Sequence, residues 1–143
     1  MKNDISEEIV VIDELTERKN LEKYTSFYFL MNRWMKLLEK GISISTYFTE
    51  NNYSQIAIYG NGEIGKHLIT QLEKDKKNIL CIINRTNVFY KNNTYKISDD
   101  IVSLIKPDII VVTPIMEYFS IKSELEFFFN TKIVSIEEII LNL

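Results

Sequence analysis

The chain has 143 residues, 45% of them hydrophobic, and a formal net charge of −3. That size supplies one domain with a modest core and excludes a second full domain. Acids and bases are interspersed without the basic face that replaces phosphate counterions, which argues against nucleic acid as a partner. The single cysteine, Cys81, lies in an apolar run. It excludes an internal disulfide and a cysteine-based metal cluster, and reads as a buried structural thiol. Met1 to Glu8 carry acids where a secretory signal would have a basic region, and no apolar run is long enough to span a bilayer. The expectation is a cytoplasmic protein without membrane insertion.

Residues 1 to about 20 are acid-rich and include Ile9-Val10-Val11-Ile12, a run too short for periodicity to decide between helix and strand. From Asn20 onward, Tyr24, Phe27, Tyr28, Met31, Trp34, Met35 and Leu38 fall at the spacing of one helical face. Leu30 and Leu37 widen that face, Phe29 stands on the far side, and Gly41 is placed to end the helix. So wide a stripe needs a partner surface, its own domain or a twin chain, and a homo-oligomer through this arm is expected. Ser43 to Phe48 reads as a short helix capped by Ser43 or Ser45. Residues 1–52 are therefore expected to form an N-terminal helical arm.

A strand over about Gln55 to Tyr59 runs into Gly60-Asn61-Gly62-Glu63-Ile64-Gly65, and a helix from Glu63 to about Lys74 follows, with Ile64, Leu68, Ile69 and Leu72 inward. Asn78 to Asn84 is apolar almost throughout, as in a parallel strand covered on both faces. Arg85 to Asn93 reads as a loop and Tyr95-Lys96-Ile97 as a short edge strand. Ser98 caps a helix containing Ile101, Leu104 and Ile105, which Pro107 ends. Asp108 to Pro114 is a second buried strand, β-branched almost throughout. The next helix spans about Met116 to Phe129, with Phe119, Ile121, Leu125 and Phe128 as core contacts. Thr131 to Ser135 is a fifth strand, and Ser135-Ile136-Glu137-Glu138 resembles a capping box for a closing helix. This alternation predicts an α/β, Rossmann-like parallel sheet of order 3-2-1-4-5 over residues 53–143.

Three of the four glycines stand in the G-x-G-x-x-G array at Gly60, Gly62 and Gly65. In a nucleotide-binding strand-turn-helix the first glycine allows the tight turn, the second admits a diphosphate to the backbone, and the third lets helix pack on strand. The helix start, Glu63 and Ile64 included, offers N–H groups and the positive end of a dipole, though the Glu63 carboxylate would repel a diphosphate if it pointed inward. The crevice of such a sheet lies beyond the carboxyl ends of the strands, where Asn84, Arg85, Thr113 and Pro114 should join the turn. An acid that would hold ribose hydroxyls is replaced by Asn84 and Arg85. The expected ligands are NAD or NADP, or a nucleotide-sugar.

Catalytic groups are sparse. Tyr118 and Lys122 match the Y-x-x-x-K spacing of short-chain dehydrogenases, in which the lysine lowers the tyrosine's pKa, but so short a pattern of common residues carries little information. They support only a rival reading as a small NAD(P)-dependent oxidoreductase or epimerase. His67, the one histidine, reads as a helix-surface or packed residue, and no residue set supplies a metal site.

Ile56-Ala57-Ile58-Tyr59-Gly60-Asn61-Gly62-Glu63-Ile64-Gly65 resembles the opening of Rossmann-like domains in bacterial surface-polysaccharide proteins, of the capsule-type nucleotide-sugar epimerase/dehydratase kind. Arg33-Trp34-Met35-Lys36-Leu37, Gly41-Ile42-Ser43-Ile44 and Tyr47-Phe48 resemble the arm before that turn in small accessory domains. The resemblance covers about residues 30 to 140 and implies nucleotide binding at Gly60, Gly62 and Gly65 in cell-surface polysaccharide biosynthesis. The catalytic domain of those enzymes is absent. A further expectation is an interaction module whose site is vestigial.

Overall fold

The computed structural model describes residues 2–143; Met1, where the expected arm begins, lies outside the described residues. The chain opens in one long helix, α1 (Lys2–Glu39), which makes the Ile9 to Ile12 run helical. Two units are distinguished, Met1–Lys36 and Leu37–Leu143. Along α1, Leu30, Trp34 and Leu37 are buried, whereas Tyr24, Tyr28 and Met35, expected on the same face, are exposed. The two sets are turned from each other by roughly a third of a revolution, so the wide stripe divides into a buried and an open half. Gly41 stops the helix at φ +76°, with Gly41 N–H donating to the Leu38 carbonyl (2.9 Å) and Ile42 N–H to that of Leu37 (2.9 Å).

The second unit contains α2 (Ser45–Glu50), β1 (Ile56–Tyr59), α3 (Glu63–Lys74), β2 (Ile79–Ile83), β3 (Asn87–Tyr90), β4 (Asn93–Lys96), α4 (Asp99–Leu104), β5 (Ile109–Val112), α5 (Tyr118–Glu126), β6 (Lys132–Ser135) and α6 (Ile136–Leu141). The architecture is mixed α/β with a six-stranded sheet of order β4-β3-β2-β1-β5-β6. The neighbours β2, β1, β5 and β6 run parallel, and β3 is antiparallel to both β2 and β4. This corrects the five-stranded order 3-2-1-4-5, because the Arg85 to Asn93 segment expected as a loop contains a strand. Val88-Phe89-Tyr90 are strong strand formers. Lys91 and Asn92 both adopt left-handed backbone, φ +48° and +63°, as a two-residue hairpin turn requires. With no Asn-Gly or Asp-Gly pair to mark it, that turn was hidden in the sequence.

One face of the sheet presents Ala57, Tyr59, Cys81, Ile83, Val88, Ile110, Val112 and Ile133 to Ile101 and Ile105 near α4 and to Ile121, Leu125 and Phe129 in and after α5. Ile56, Ile58, Ile109 and Val111 point the other way and are fully buried, as are Leu68 and Leu72 of α3. Burial pushes the Cys81 thiol up to about 12, so it stays protonated and inert. Several expected core contacts differ. Phe119 is 80% exposed and Phe128 is also exposed, because α5 is shorter than expected and its inner line runs Ile121, Leu125, Phe129. Leu104 is exposed while Ile101 and Ile105, one turn apart, are buried. Ile79, Leu80 and Ile82 of β2 are only half-buried, so that strand is not fully covered on both faces. α2 has Ile44 at its N-cap with no side-chain cap; the Ser43 hydroxyl instead accepts from Ser45 N–H (3.2 Å) and donates to Asp75. Among the described residues no helix is long and apolar enough to cross a membrane.

The amino ends of β1 and β5 are joined by one carboxylate. Asp108 accepts from the N–H groups of Ser54 (2.9 Å) and Gln55 (2.8 Å) and from the Ser54 hydroxyl (3.1 Å), while its own N–H donates to the Gln55 carbonyl (2.8 Å). These donors, Gln55 first, hold the Asp108 carboxyl below the usual aspartate value, and the Ser43 hydroxyl does the same to Asp75. A depressed folded pKa gives stability that is complete above the unfolded value and is lost as pH falls through the folded one. Asp108→Asn, which does not titrate, should therefore be less stable than the parent at neutral pH, by no more than about 1 kcal/mol because the carboxylate is exposed and screened. The gap should close as the pH drops below about 4, the unfolded aspartate value. Urea midpoints across that range test this, and a gap independent of pH would contradict it.

Candidate functional site

Parallel register sets Tyr59 level with Ile83 on one side and with Val112 on the other. Gly60, Asn84 and Thr113 therefore leave the sheet side by side at the carboxyl ends of three strands. The ladder continues one residue beyond them: Gly60 N–H donates to the Ile83 carbonyl (2.9 Å), and Thr113 donates to the Tyr59 carbonyl through both its N–H (3.0 Å) and its hydroxyl (2.8 Å). With α3 packed on one side of the sheet and α5 on the other, the gap between β1 and β5 is where the connections diverge, the place where open parallel sheets form a crevice.

The three glycines of the turn are required for different reasons. Gly60 has φ +99°, and a Cβ on it would lie 2.5 Å from Thr113 Oγ1 and 2.9 Å from Pro114 Cδ. A Cβ on Gly65 would lie 2.5 Å from the Gly60 carbonyl oxygen. Both are therefore demanded by the turn's own packing. Gly62 is not: its φ of −82° suits any residue, and a Cβ there would meet nothing within 4 Å. It is the N-cap of α3 and provides no side-chain cap. The first N–H groups of a helix have no intrahelical acceptor, and at this end they open beside a residue with no side chain.

The remaining expected site residues fall into two groups. Asn61, Gly62 and Glu63 are exposed at the mouth of the turn and Ile64 is half-buried. Thr113 is 2% exposed with its hydroxyl committed to Tyr59, and Pro114 packs under Gly60, so this pair forms the floor of the turn. The Asn84 side-chain oxygen accepts from the N–H groups of Thr86 (3.0 Å) and Asn87 (2.8 Å), pinning the entry to the β3–β4 hairpin. Arg85 beside it is exposed. Tyr59, immediately before Gly60, is a residue the motif does not single out. Burial raises its hydroxyl pKa, with Glu124 adding to the rise and Arg85 opposing it. The available signal was a polar-tipped aromatic immediately before Gly60.

The Tyr118–Lys122 pair is employed elsewhere. Tyr118 donates to the Ile133 carbonyl (3.2 Å), and burial, then Glu138 and Glu126, raise its pKa, the direction opposite to that of an activated tyrosine. Lys122 pairs with Glu126 (3.9 Å). His67 is exposed on α3. Among the described residues no group of three or more His, Cys, Asp or Glu side chains is placed to hold a metal ion. A groove of about 570 Å³ runs along β2 and the hairpin, lined by Ile69, Glu73, Ile79, Ile82, Phe89 and Lys91 among others. It contains no residue of the glycine turn, and Gln55, Glu73, Asn78, Lys91 and Asn92 line it beside the apolar side chains.

No protein-family model, characterised protein or solved structure matches the chain.

The division among the glycines has a direct consequence for stability. Gly60→Ala and Gly65→Ala should each cost about 2–4 kcal/mol, through strained backbone or a displaced neighbour. Gly62→Ala should stay within about 1 kcal/mol of the parent. Denaturant unfolding of the three variants measures this, and three equal losses would refute the assignment.

Proposed function

We propose that the turn from Gly60 to Gly65 binds the diphosphate of a nucleotide ligand, NAD(P) or a nucleotide-sugar, and that the domain is a Rossmann-like nucleotide-binding module. The observation that carries this reading is Gly62. Neither its backbone angles, which are ordinary, nor its surroundings, which are open, require a glycine there, and the N-cap position favours one only mildly. An external group that must come against the backbone supplies the reason. The start of the twelve-residue helix α3 supports the same reading, because backbone N–H groups and the helix dipole together favour an anion at that end.

The engagement of Asn84 bears on which nucleotide is bound. Its oxygen is occupied by the hairpin entry, so a free ribose diol loses its usual acceptor. Arg85, exposed at the same strand end, would favour a ligand with a further phosphate or acidic group nearby. The resemblance of the turn and of the preceding arm to surface-polysaccharide proteins suggests a role accessory to cell-surface carbohydrate synthesis. The contacts of Tyr118 and Lys122 favour binding over catalysis by that pair.

A ligand that binds only the folded state raises the melting temperature as its concentration passes its dissociation constant. Titration with NAD, NADP and nucleotide-sugars should give such a rise with at least one of them. Gly62→Leu should melt within a few degrees of the parent without ligand and lose the rise. A Gly62→Leu protein that keeps the full response would refute the proposal.

A further inference from the structure

Residues 6–25 of α1 are exposed throughout. Most helical stability in proteins comes from packing an amphipathic face, and this stretch buries none. It contains four consecutive β-branched residues, Ile9 to Ile12, which give up side-chain freedom in a helix. It also carries an open apolar seam. Val10, Leu21, Tyr24, Tyr28 and Met35, between 53% and 68% exposed, follow one another at separations of 11, 3, 4 and 7 residues. Those separations keep them on one line of an α-helix.

The charges on α1 indicate what covers the seam. No basic residue occurs from Asn3 to Glu17, a stretch that holds Asp4, Glu7, Glu8, Asp13, Glu14 and Glu17. From Arg18 the balance reverses, with Lys19, Lys23, Arg33 and Lys36 following on α1 against only Glu22 and Glu39. The helix dipole accounts for acids in the first turn and bases in the last, but its influence does not reach Glu14, Glu17, Arg18 or Lys19 in the middle. We propose that α1 pairs antiparallel with α1 of a second copy of this chain, the acidic half of each lying along the basic half of the other. A parallel pair would set acid on acid over the first half. Val10 and Tyr28 are 18 residues apart, five whole turns. An antiparallel pair centred near Lys19 therefore brings Val10 of one copy beside Tyr28 of the other.

Sedimentation of the full chain should give a dimer mass. Cys81 is buried, so a short bismaleimide reports only on introduced thiols. In a mixture of Val10→Cys and Tyr28→Cys proteins the two variants should cross-link to each other, and neither should link to itself. Glu14→Lys/Glu17→Lys, a change confined to exposed positions, should weaken the dimer about tenfold or more. Mixing that variant with Lys19→Glu/Lys23→Glu should restore association. A monomeric parent overturns the proposal, as does a dimer whose Val10→Cys copies link to themselves, or one indifferent to both charge reversals.

Discussion

The approach of Gly65 to the carbonyl of Gly60, over the floor made by Thr113 and Pro114, is the contact on which the second unit depends. A single Cβ at either glycine would fall 2.5 Å from a heavy atom. That closeness lets α3 begin immediately past the end of β1. It also fixes the direction in which α3 leaves, and α3 in turn buries Leu68 and Leu72. Thr113 connects the same turn to β5 through two donations to one carbonyl. The middle of the sheet and the mouth of the turn are thus set by the same few atoms.

Gly60 and Gly65 are required by the packing of the turn, whereas at Gly62 a Cβ would meet nothing within 4 Å. Thr113 and Asn84 belong with the fold as well, since each has spent its side-chain oxygen on a neighbouring backbone. What remains open to a ligand is mostly backbone: the N–H groups around Gly62, with Arg85 as a nearby charge. A site of that kind recognises the charge of a diphosphate more than the identity of a base or sugar.

Much of this could be read from the residues alone. The glycine spacing gave the strand-turn-helix, the β-branched runs gave β1, β2, β5 and β6, and Gly41 gave the end of α1. Sequence failed where the signal depended on tertiary context. Lys91-Asn92 adopts a turn conformation that other residue pairs announce more clearly, so β3 was missed and the strand order with it. Phe119 and Phe128 read as core residues by hydrophobicity, but the helix phase selects Phe129 and leaves them outside. The aromatic stripe of α1 reads as one face in the sequence and is two in the structure, with Leu30, Trp34 and Leu37 buried and Tyr24, Tyr28 and Met35 exposed. The structural duties of Thr113 and Asn84 were also hidden, since a hydroxyl or amide at a strand end looks the same in sequence whether it faces a ligand or the backbone.

Glycine amide resonances are easily identified in a chain with four glycines, so the most direct measurement is a titration of the ¹H–¹⁵N correlation spectrum with a nucleotide diphosphate. The account predicts that the largest shifts fall on the amides of Asn61 to Gly65, and that Gly41, in the C-cap of α1, does not move. Shifts that gather along the β2 and hairpin groove, or no shifts with any nucleotide tested, would contradict it.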